Sequence, residues 1–191
     1  MTLDWIDSAF LRSGTHPARP CSAADDVRES RPPAVPADGE DLVSRLLSTA
    51  PREWGSLADA AAASARAGRP VIAVTGSARG EGRSTVAAGL AATLRKRGIS
   101  VAATPLAPIF LPAEEAAAVR SASIVIVDGG PWFGPGPLRR AAVERAALGC
   151  DAAIVVRRDS APPCPGRIAC LEGLGLEVLG ETLTFVPPAP A

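Results

Sequence analysis

The chain has 191 residues, 47% of them hydrophobic, and its 20 basic and 20 acidic side chains give a formal net charge of zero. This size and composition fit one soluble globular domain with some additional unstructured chain. A balanced charge gives no reason to expect a nucleic acid as partner, because phosphate backbones are bound by an excess of basic residues.

Neither a metal centre nor a targeting segment is indicated. The cysteines, Cys21, Cys150, Cys164 and Cys170, are irregularly spaced, and His16 is the only histidine, so no metal-ligand set is recognisable. The first residues do not combine a basic start with an apolar core, and no run of about 18 apolar residues occurs. We therefore expect a cytoplasmic protein.

The N-terminal part, residues 1–39, is predicted to be a flexible region. Residues 13–39 are rich in proline, serine, alanine and charge, without a helical or strand period. Before them, Leu3, Ile6 and Phe10 have helical spacing, which indicates either a short docking helix or a helix that folds back on its own domain. Residues 40–69 follow as a helical lead-in.

Residues 70–186 are predicted to alternate between strands and helices, and residues 187–191 form a tail. The predicted strands are 71–75, 100–104, 123–128, 152–157 and one beginning at 177; the predicted helices are 84–97, 112–120, 138–148 and 166–174. Several of these strands are continuous apolar runs, such as IVIV and AAIVV. This pattern is typical of a mostly parallel sheet buried on both faces by crossover helices, and it predicts an α/β fold.

The stretch VIAVTGSARGEGRSTVA, residues 71–87, predicts a phosphate-binding loop. A strand, a glycine-bearing loop and a helix follow one another, so backbone N–H groups and the positive end of the helix are available to phosphate oxygens. The hydroxyl of Ser84 is expected on Mg²⁺. The candidate nucleotide-binding residues are Ser77, Gly80, Glu81, Gly82, Arg83, Ser84 and Thr85.

Two positions in this loop depart from the glycine, four residues, Gly-Lys-Ser/Thr pattern. Ser77 stands in place of the first glycine, and Arg83 stands in place of the lysine. A guanidinium is longer and forked, whereas the lysine ammonium is a compact point charge. Arg83 is therefore compatible with holding a nucleotide but poorly suited to moving its γ-phosphate.

Residues 71–98 resemble the first strand, loop and helix of the bacterial tyrosine kinases of exopolysaccharide synthesis, the CpsD/Wzc-like family within the MinD/ParA-like P-loop ATPases. SIVIVDGGPWF is similar to their second acidic motif, which implies that Asp128 helps to hold Mg²⁺, and CDAAIVVRRDSAP is similar to the strand that ends near the base. The resemblance implies an ATP- and Mg²⁺-dependent protein, with ATP hydrolysis or tyrosine-kinase-like phosphotransfer if it is active. It also implies a membrane adaptor or other polysaccharide-assembly protein as partner, and homo-oligomers.

The chain departs from this family in several places. Pro105 and Ala107 stand where the kinases have an Asp-x-Asp motif, and Ala78 stands where the MinD/ParA group has an extra signature lysine. The chain has no tyrosine, so a C-terminal tyrosine cluster cannot exist. No Glu-x-x-Arg-x-x-Arg oligomerisation pattern is evident in the first helix. No catalytic residue is assigned.

Three local features allow two interpretations each. Asp128 either binds Mg²⁺ through water or caps the turn that follows it. Arg157 and Arg158 are either solvated surface residues or groups that approach a base or a partner's phosphate. The Trp132-Phe133 pair is either a local plug over the sheet or a docking surface.

Two functions follow from these observations. The first is a divergent P-loop ATP-binding protein whose catalysis is weak or lost. The alternative is a non-catalytic pseudo-NTPase that acts as an interaction or regulatory module. Mg²⁺-dependent nucleotide binding distinguishes them.

Overall fold

The structure is a computed structural model that describes residues 38–134 and 136–185, with side chains from residue 43 onward. Most of the predicted flexible N-terminal region, its possible docking helix and the tail at residues 187–191 lie outside the described residues. The first described helix begins at Asp38, two residues before the start predicted for the helical lead-in.

Helices and strands alternate as the sequence predicts. In chain order they are α1 (Asp38–Thr49), α2 (Pro51–Arg66), β1 (Val71–Gly76), α3 (Arg83–Lys96), β2 (Val101–Thr104), a 3-10 turn (Pro108–Phe110), α4 (Ala113–Arg120), β3 (Ile124–Pro131), α5 (Arg140–Ala147), β4 (Ala152–Arg158), α6 (Pro165–Glu172) and β5 (Glu177–Thr184). The main difference is β3, which was expected to end at Asp128 and continues three residues further.

The five strands form one parallel sheet in the order β2-β3-β1-β4-β5. The central strand, β1, pairs with β3 on one side and with β4 on the other, and every recorded pairing is parallel. The predicted α/β fold with a parallel sheet and crossover helices is confirmed.

Apolar side chains cover both faces of the sheet. Along β1, Ile72 and Val74 belong to one buried cluster with Leu90 of α3, whereas Ala73 belongs to a second cluster with Val143 of α5. Successive side chains of a strand point to opposite faces, so a strand covered on both faces is apolar at every position. This explains the continuous apolar runs of the sequence.

The lead-in helices pack against the domain. Ala58 and Ala61 of α2 are fully buried in the same cluster as Ile72 and Leu90. On α3, Gly89 lies so close to the Trp54 ring that a Cβ there would be 2.6 Å from the nearest ring atom. The small residues of α2 and the glycine of α3 therefore allow the two helices to approach closely.

Because all five strands are parallel, their carboxyl ends meet at one edge of the sheet. The loop between β1 and α3, the end of β3 with Asp128, the end of β4 with Arg158 and the end of β5 with Thr184 all lie there. Residues that are far apart in the sequence are thereby brought to one place.

Candidate functional site

The loop between β1 and α3 carries two glycines in the left-handed region. Gly80 has a φ of 74° and Gly82 has a φ of 83°. Glycine adopts this conformation without the steric penalty that a Cβ brings. Gly82 is also the N-cap of α3, and no side chain caps this helix end. The first N–H groups of α3 therefore have no side-chain acceptor. An anionic ligand can accept hydrogen bonds from them.

The side chain of Glu81 folds into the loop. It is 5% exposed, and its Oε2 accepts hydrogen bonds from the backbone N of Ser77 at 2.6 Å and of Ala78 at 2.9 Å. A Cβ at Gly76 would lie 2.4 Å from the same oxygen and 2.7 Å from the carbonyl oxygen of Val156. The sequence predicts only a phosphate-binding role for Glu81. The structure adds that its carboxylate fixes the start of the loop.

Ser84 and Asp128 are brought together, as the predicted magnesium pair requires. The Ser84 hydroxyl, in the first turn of α3, donates a hydrogen bond of 2.5 Å to Oδ2 of Asp128 on β3. Hydroxyl and carboxylate oxygens are ligands that Mg²⁺ accepts, and it usually combines one or two of them with phosphate oxygens and water. The arrangement fits a magnesium ion that arrives with a nucleotide.

Arg83 is half-buried and does not extend freely into solvent. Its Cδ lies 3.3 Å from where a Cβ of Gly76 would stand, so the side chain folds back along the loop. Within the described part of the chain, its Nη1 is buried without a hydrogen-bond partner, and so is the hydroxyl of Ser77. A buried polar atom without a partner costs about 1–3 kcal/mol, which a hydrogen-bonding ligand can offset. Both atoms belong to the predicted phosphate loop, so the residues present fit an anionic ligand.

Strands β4 and β5 hold the loop from the side. Arg158 Nη2 donates to the carbonyl oxygen of Gly80 at 2.9 Å. The hydroxyl of Thr184 lies 2.8 Å from the carbonyl oxygen of Glu81 and 3.2 Å from that of Arg157. The sequence does not predict this role of Thr184, because no local signal connects the end of the last strand with a loop 103 residues earlier.

Arg157 is buried, which corrects its interpretation as a solvated surface residue. Its guanidinium forms a two-pronged ion pair with Glu181, with Nε and Nη2 each 3.0 Å from a carboxylate oxygen, and it also donates to the Ala161 carbonyl. The hydrogen bond and the charge of Glu181 raise the pKa of Arg157 above its ordinary value, against the opposing effect of burial. Arg157 therefore supports the end of β4, and Arg158, which is exposed, is the residue that contacts the loop.

Trp132 and Phe133 are a local plug and not a docking surface. They are 7% and 3% exposed and belong to the buried cluster on the α5 side of the sheet. The backbone N of Trp132 donates to Thr75 Oγ1 at 3.3 Å, and the backbone N of Phe133 donates to the Gly76 carbonyl oxygen at 3.2 Å. The end of β3 is thereby joined to the start of the loop.

A cavity of about 520 Å³ lies beside this plug. Its wall includes Trp132, Phe133 and Leu138, together with two arginines, Arg139 and Arg167. The guanidinium of Arg167 lies 5.7 Å from the centre of the Phe133 ring. Apolar side chains and arginine side chains therefore both line this cavity.

The segment at the place of the kinases' Asp-x-Asp motif is apolar. Ala107 is buried, while Leu106, Ile109 and Phe110 are exposed around the 3-10 turn. These side chains supply no carboxylate to the loop, so Asp128 is the acidic residue that this edge offers beside Ser84.

The predicted nucleotide-binding residues, Ser77 to Thr85, thus form one loop and the first turn of a helix at the carboxyl edge of the sheet. Within residues 38–134 and 136–185, no group of three or more His, Cys, Asp or Glu side chains could hold a metal ion. None of the described helices is long and apolar enough to span a membrane.

Comparison with known proteins gives similarity to solved structures only. No family model matches the chain, and no curated protein matches it. Among solved structures, the chain is similar to the crystal structure of the chimerical protein CapA2B2, with a TM-score of 0.43 and 14% sequence identity over 62% of this chain and 76% of that chain. The fold is established independently by the strand pairings described above.

Proposed function

We propose that the chain is a divergent P-loop protein that binds ATP together with Mg²⁺ and has weak or no phosphotransfer activity. The observation that carries this proposal is the 2.5 Å contact between Ser84 and Asp128. A hydroxyl at the start of the helix and a carboxylate on the neighbouring strand meet beside a glycine loop, which is the arrangement a nucleotide-bound Mg²⁺ needs.

The phosphates would lie on the loop and on the first turn of α3. The uncapped N–H groups of α3 and the left-handed glycines Gly80 and Gly82 support this position. The partnerless Nη1 of Arg83 and hydroxyl of Ser77 would gain an acceptor from a bound phosphate. Ser84 and Asp128 would then hold Mg²⁺, the hydroxyl directly and the carboxylate through water.

We expect weak catalysis because the described residues of the site lack a well-placed cation and a second carboxylate beside Asp128. Phosphoryl transfer depends on cations and metal ligands positioned at the transferring group. The side chain of Arg83 folds back toward Gly76, and the segment of Pro105 and Ala107 provides no carboxylate. If the protein is active, its reaction would be ATP hydrolysis or a phosphotransfer like that of the tyrosine kinases.

The biological setting that we propose is the regulation of exopolysaccharide synthesis in the cytoplasm, with a membrane adaptor or another polysaccharide-assembly protein as partner. Its support is the sequence resemblance of the loop, of SIVIVDGGPWF and of CDAAIVVRRDSAP to the CpsD/Wzc-like kinases. Homo-oligomers belong to the same proposal.

A non-catalytic interaction module is the alternative, and two observations favour it. The carboxylate of Glu81 already engages two N–H groups at the start of the loop. The apolar side chains of Leu106, Ile109 and Phe110 are exposed where the kinases have acids. A protein of this kind would bind its partner without nucleotide.

Calorimetric titration with ATP and ADP, with and without Mg²⁺, tests the proposal on the full chain, Arg83→Ala, Arg83→Lys and Asp128→Asn. We expect micromolar binding by the natural chain. Arg83→Ala should bind at least tenfold more weakly, since a hydrogen bond to a charged group contributes about 1.5–3 kcal/mol. Asp128→Asn should gain no affinity from Mg²⁺, because it lacks the carboxylate that would hold the ion. Faster ATP hydrolysis by Arg83→Lys would show that arginine limits the reaction.

A matched control is Arg120→Ala, because Arg120 is exposed in the last turn of α4, away from the loop. Its affinity should equal that of the natural chain. Absence of binding in every protein, with folding verified by circular dichroism, would refute the ATP proposal and leave the interaction module.

A further inference from the structure

Phe185, immediately after β5, has an unusual conformation and an exposed ring. It is the one non-glycine residue of the described chain with a positive φ, at 59°, and it is 68% exposed. A bulky residue in the left-handed region is strained, and such strain is concentrated at functional sites. An exposed aromatic ring held in this way calls for an explanation beyond packing.

Two contacts connect this ring to the phosphate loop. Arg158 donates to the Gly80 carbonyl at 2.9 Å, and its guanidinium lies 5.0 Å from the centre of the Phe185 ring. The preceding residue, Thr184, is hydrogen-bonded at 2.8 Å to the carbonyl oxygen of Glu81. The ring is therefore positioned relative to the same loop that would hold the phosphates.

Nucleobases stack on aromatic rings and on guanidinium planes in proteins. A nucleotide anchored by its phosphates can extend its base toward β3 or toward β4 and β5. On the β3 side, the rings of Trp132 and Phe133 are buried and Phe133 is already contacted by Arg167. On the β4 and β5 side, most of the Phe185 ring is available to a ligand.

We propose that Phe185 and Arg158 form the stacking surface for the base of the nucleotide whose phosphates lie on the loop at residues 77–85. This inference rests on the proposed nucleotide binding and adds Phe185, next to Arg158, as the ring on which the base stacks. Stacking contributes about 1–3 kcal/mol per base, which corresponds to roughly 5- to 150-fold in affinity. Tripolyphosphate, which has no base, would not use this surface.

Titration of the full chain with Mg-ATP and with Mg-tripolyphosphate tests the inference. We expect the natural chain to bind ATP roughly tenfold more tightly than tripolyphosphate. Phe185→Ala should lose this advantage and bind tripolyphosphate unchanged, whereas Phe185→Trp should keep it. The matched control is Leu183→Ala, which removes an exposed apolar side chain two residues earlier, on β5, and should change neither affinity.

The outcomes separate this inference from the proposed function. If neither ligand binds the folded natural chain, both fail. If tripolyphosphate binds but Phe185→Ala leaves the ratio of the two affinities unchanged, phosphate binding stands and the stacking surface is refuted. If Arg167→Ala selectively weakens ATP and Phe185→Ala does not, the base lies in the cavity beside Trp132, and the inference is again refuted.

Discussion

Glu81 shows how one side chain can decide the shape of a loop. Its buried carboxylate accepts two short hydrogen bonds from backbone N–H groups, of Ser77 and Ala78. Hydrogen bonds to a carboxylate are stronger than those between neutral groups. Removing this carboxylate would leave two backbone N–H groups without their acceptor, which costs stability. Glu81 therefore stabilises the start of the loop whether or not a nucleotide binds.

We predict that Glu81→Ala lowers the free energy of unfolding by about 2 kcal/mol, because the backbone N–H groups of Ser77 and Ala78 lose a charged acceptor. Glu81→Gln should cost less, since its amide oxygen still accepts. Urea denaturation measures both. Glu144→Ala, an exposed carboxylate on α5, is the control and should stay within about 0.5 kcal/mol of the natural chain. Equal losses for Glu81→Ala and Glu144→Ala would contradict this role of Glu81.

At the scale of elements, two glycines near the contact between α2 and α3 differ in their surroundings. Gly89 on α3 faces the Trp54 ring, and a Cβ there would come within 2.6–3.0 Å of three ring atoms. At Gly55 on α2, a Cβ would meet only the end of the Arg97 side chain, at 3.5 Å. Replacement of each glycine by alanine should therefore have opposite effects on the free energy of unfolding.

Gly89→Ala is expected to lower the free energy of unfolding by about 1–2 kcal/mol, because overpacking exceeds the gain in helix propensity. Gly55→Ala should raise it by roughly 0.5–1 kcal/mol, because only the propensity gain acts. Thermal and urea denaturation of the two variants give the comparison. Stabilisation by both substitutions would show that Trp54 can move away from α3 without cost.

At the scale of the whole molecule, the partial burial of Cys150 links stability to alkaline pH. Burial, with a smaller effect from Asp151, raises the pKa of Cys150 from 9.0 to about 12. In the unfolded chain the thiol regains its ordinary pKa. The neutral thiol therefore makes its full contribution to the free energy of unfolding below about pH 9. This contribution is lost as the pH rises toward 12.

We predict that the natural chain loses stability relative to Cys150→Ala between pH 9 and 11, at up to about 1.4 kcal/mol per pH unit. Urea denaturation of both proteins at pH 7, 9, 10 and 11 gives the difference. Lys96 and the other three cysteines are present in both proteins, so their contributions cancel in the difference. A constant difference between the two proteins across these pH values would show that the Cys150 thiol ionises normally in the folded state.

Much of the fold was predictable from the sequence, because its signals are local. Continuous apolar runs predicted the parallel strands, and the strand, glycine loop and helix at residues 71–97 predicted the position of the phosphate loop. The end of β3 was placed three residues early, because the glycines and proline after Asp128 are typical of a turn. Here they continue the strand, with Gly76 of β1 paired to Pro131.

What the sequence determined by itself is the order of the elements, the loop with Arg83 in place of lysine, and the absence of tyrosine. The tertiary structure decided which distant residues meet. Ser84 and Asp128 are 44 residues apart, and Thr184 and Glu81 are 103 apart. These contacts depend on the strand order β2-β3-β1-β4-β5, which places β3 and β4 on either side of β1. Hydrophobic patterns define each strand but not its neighbours, so the site is completed only when the sheet forms.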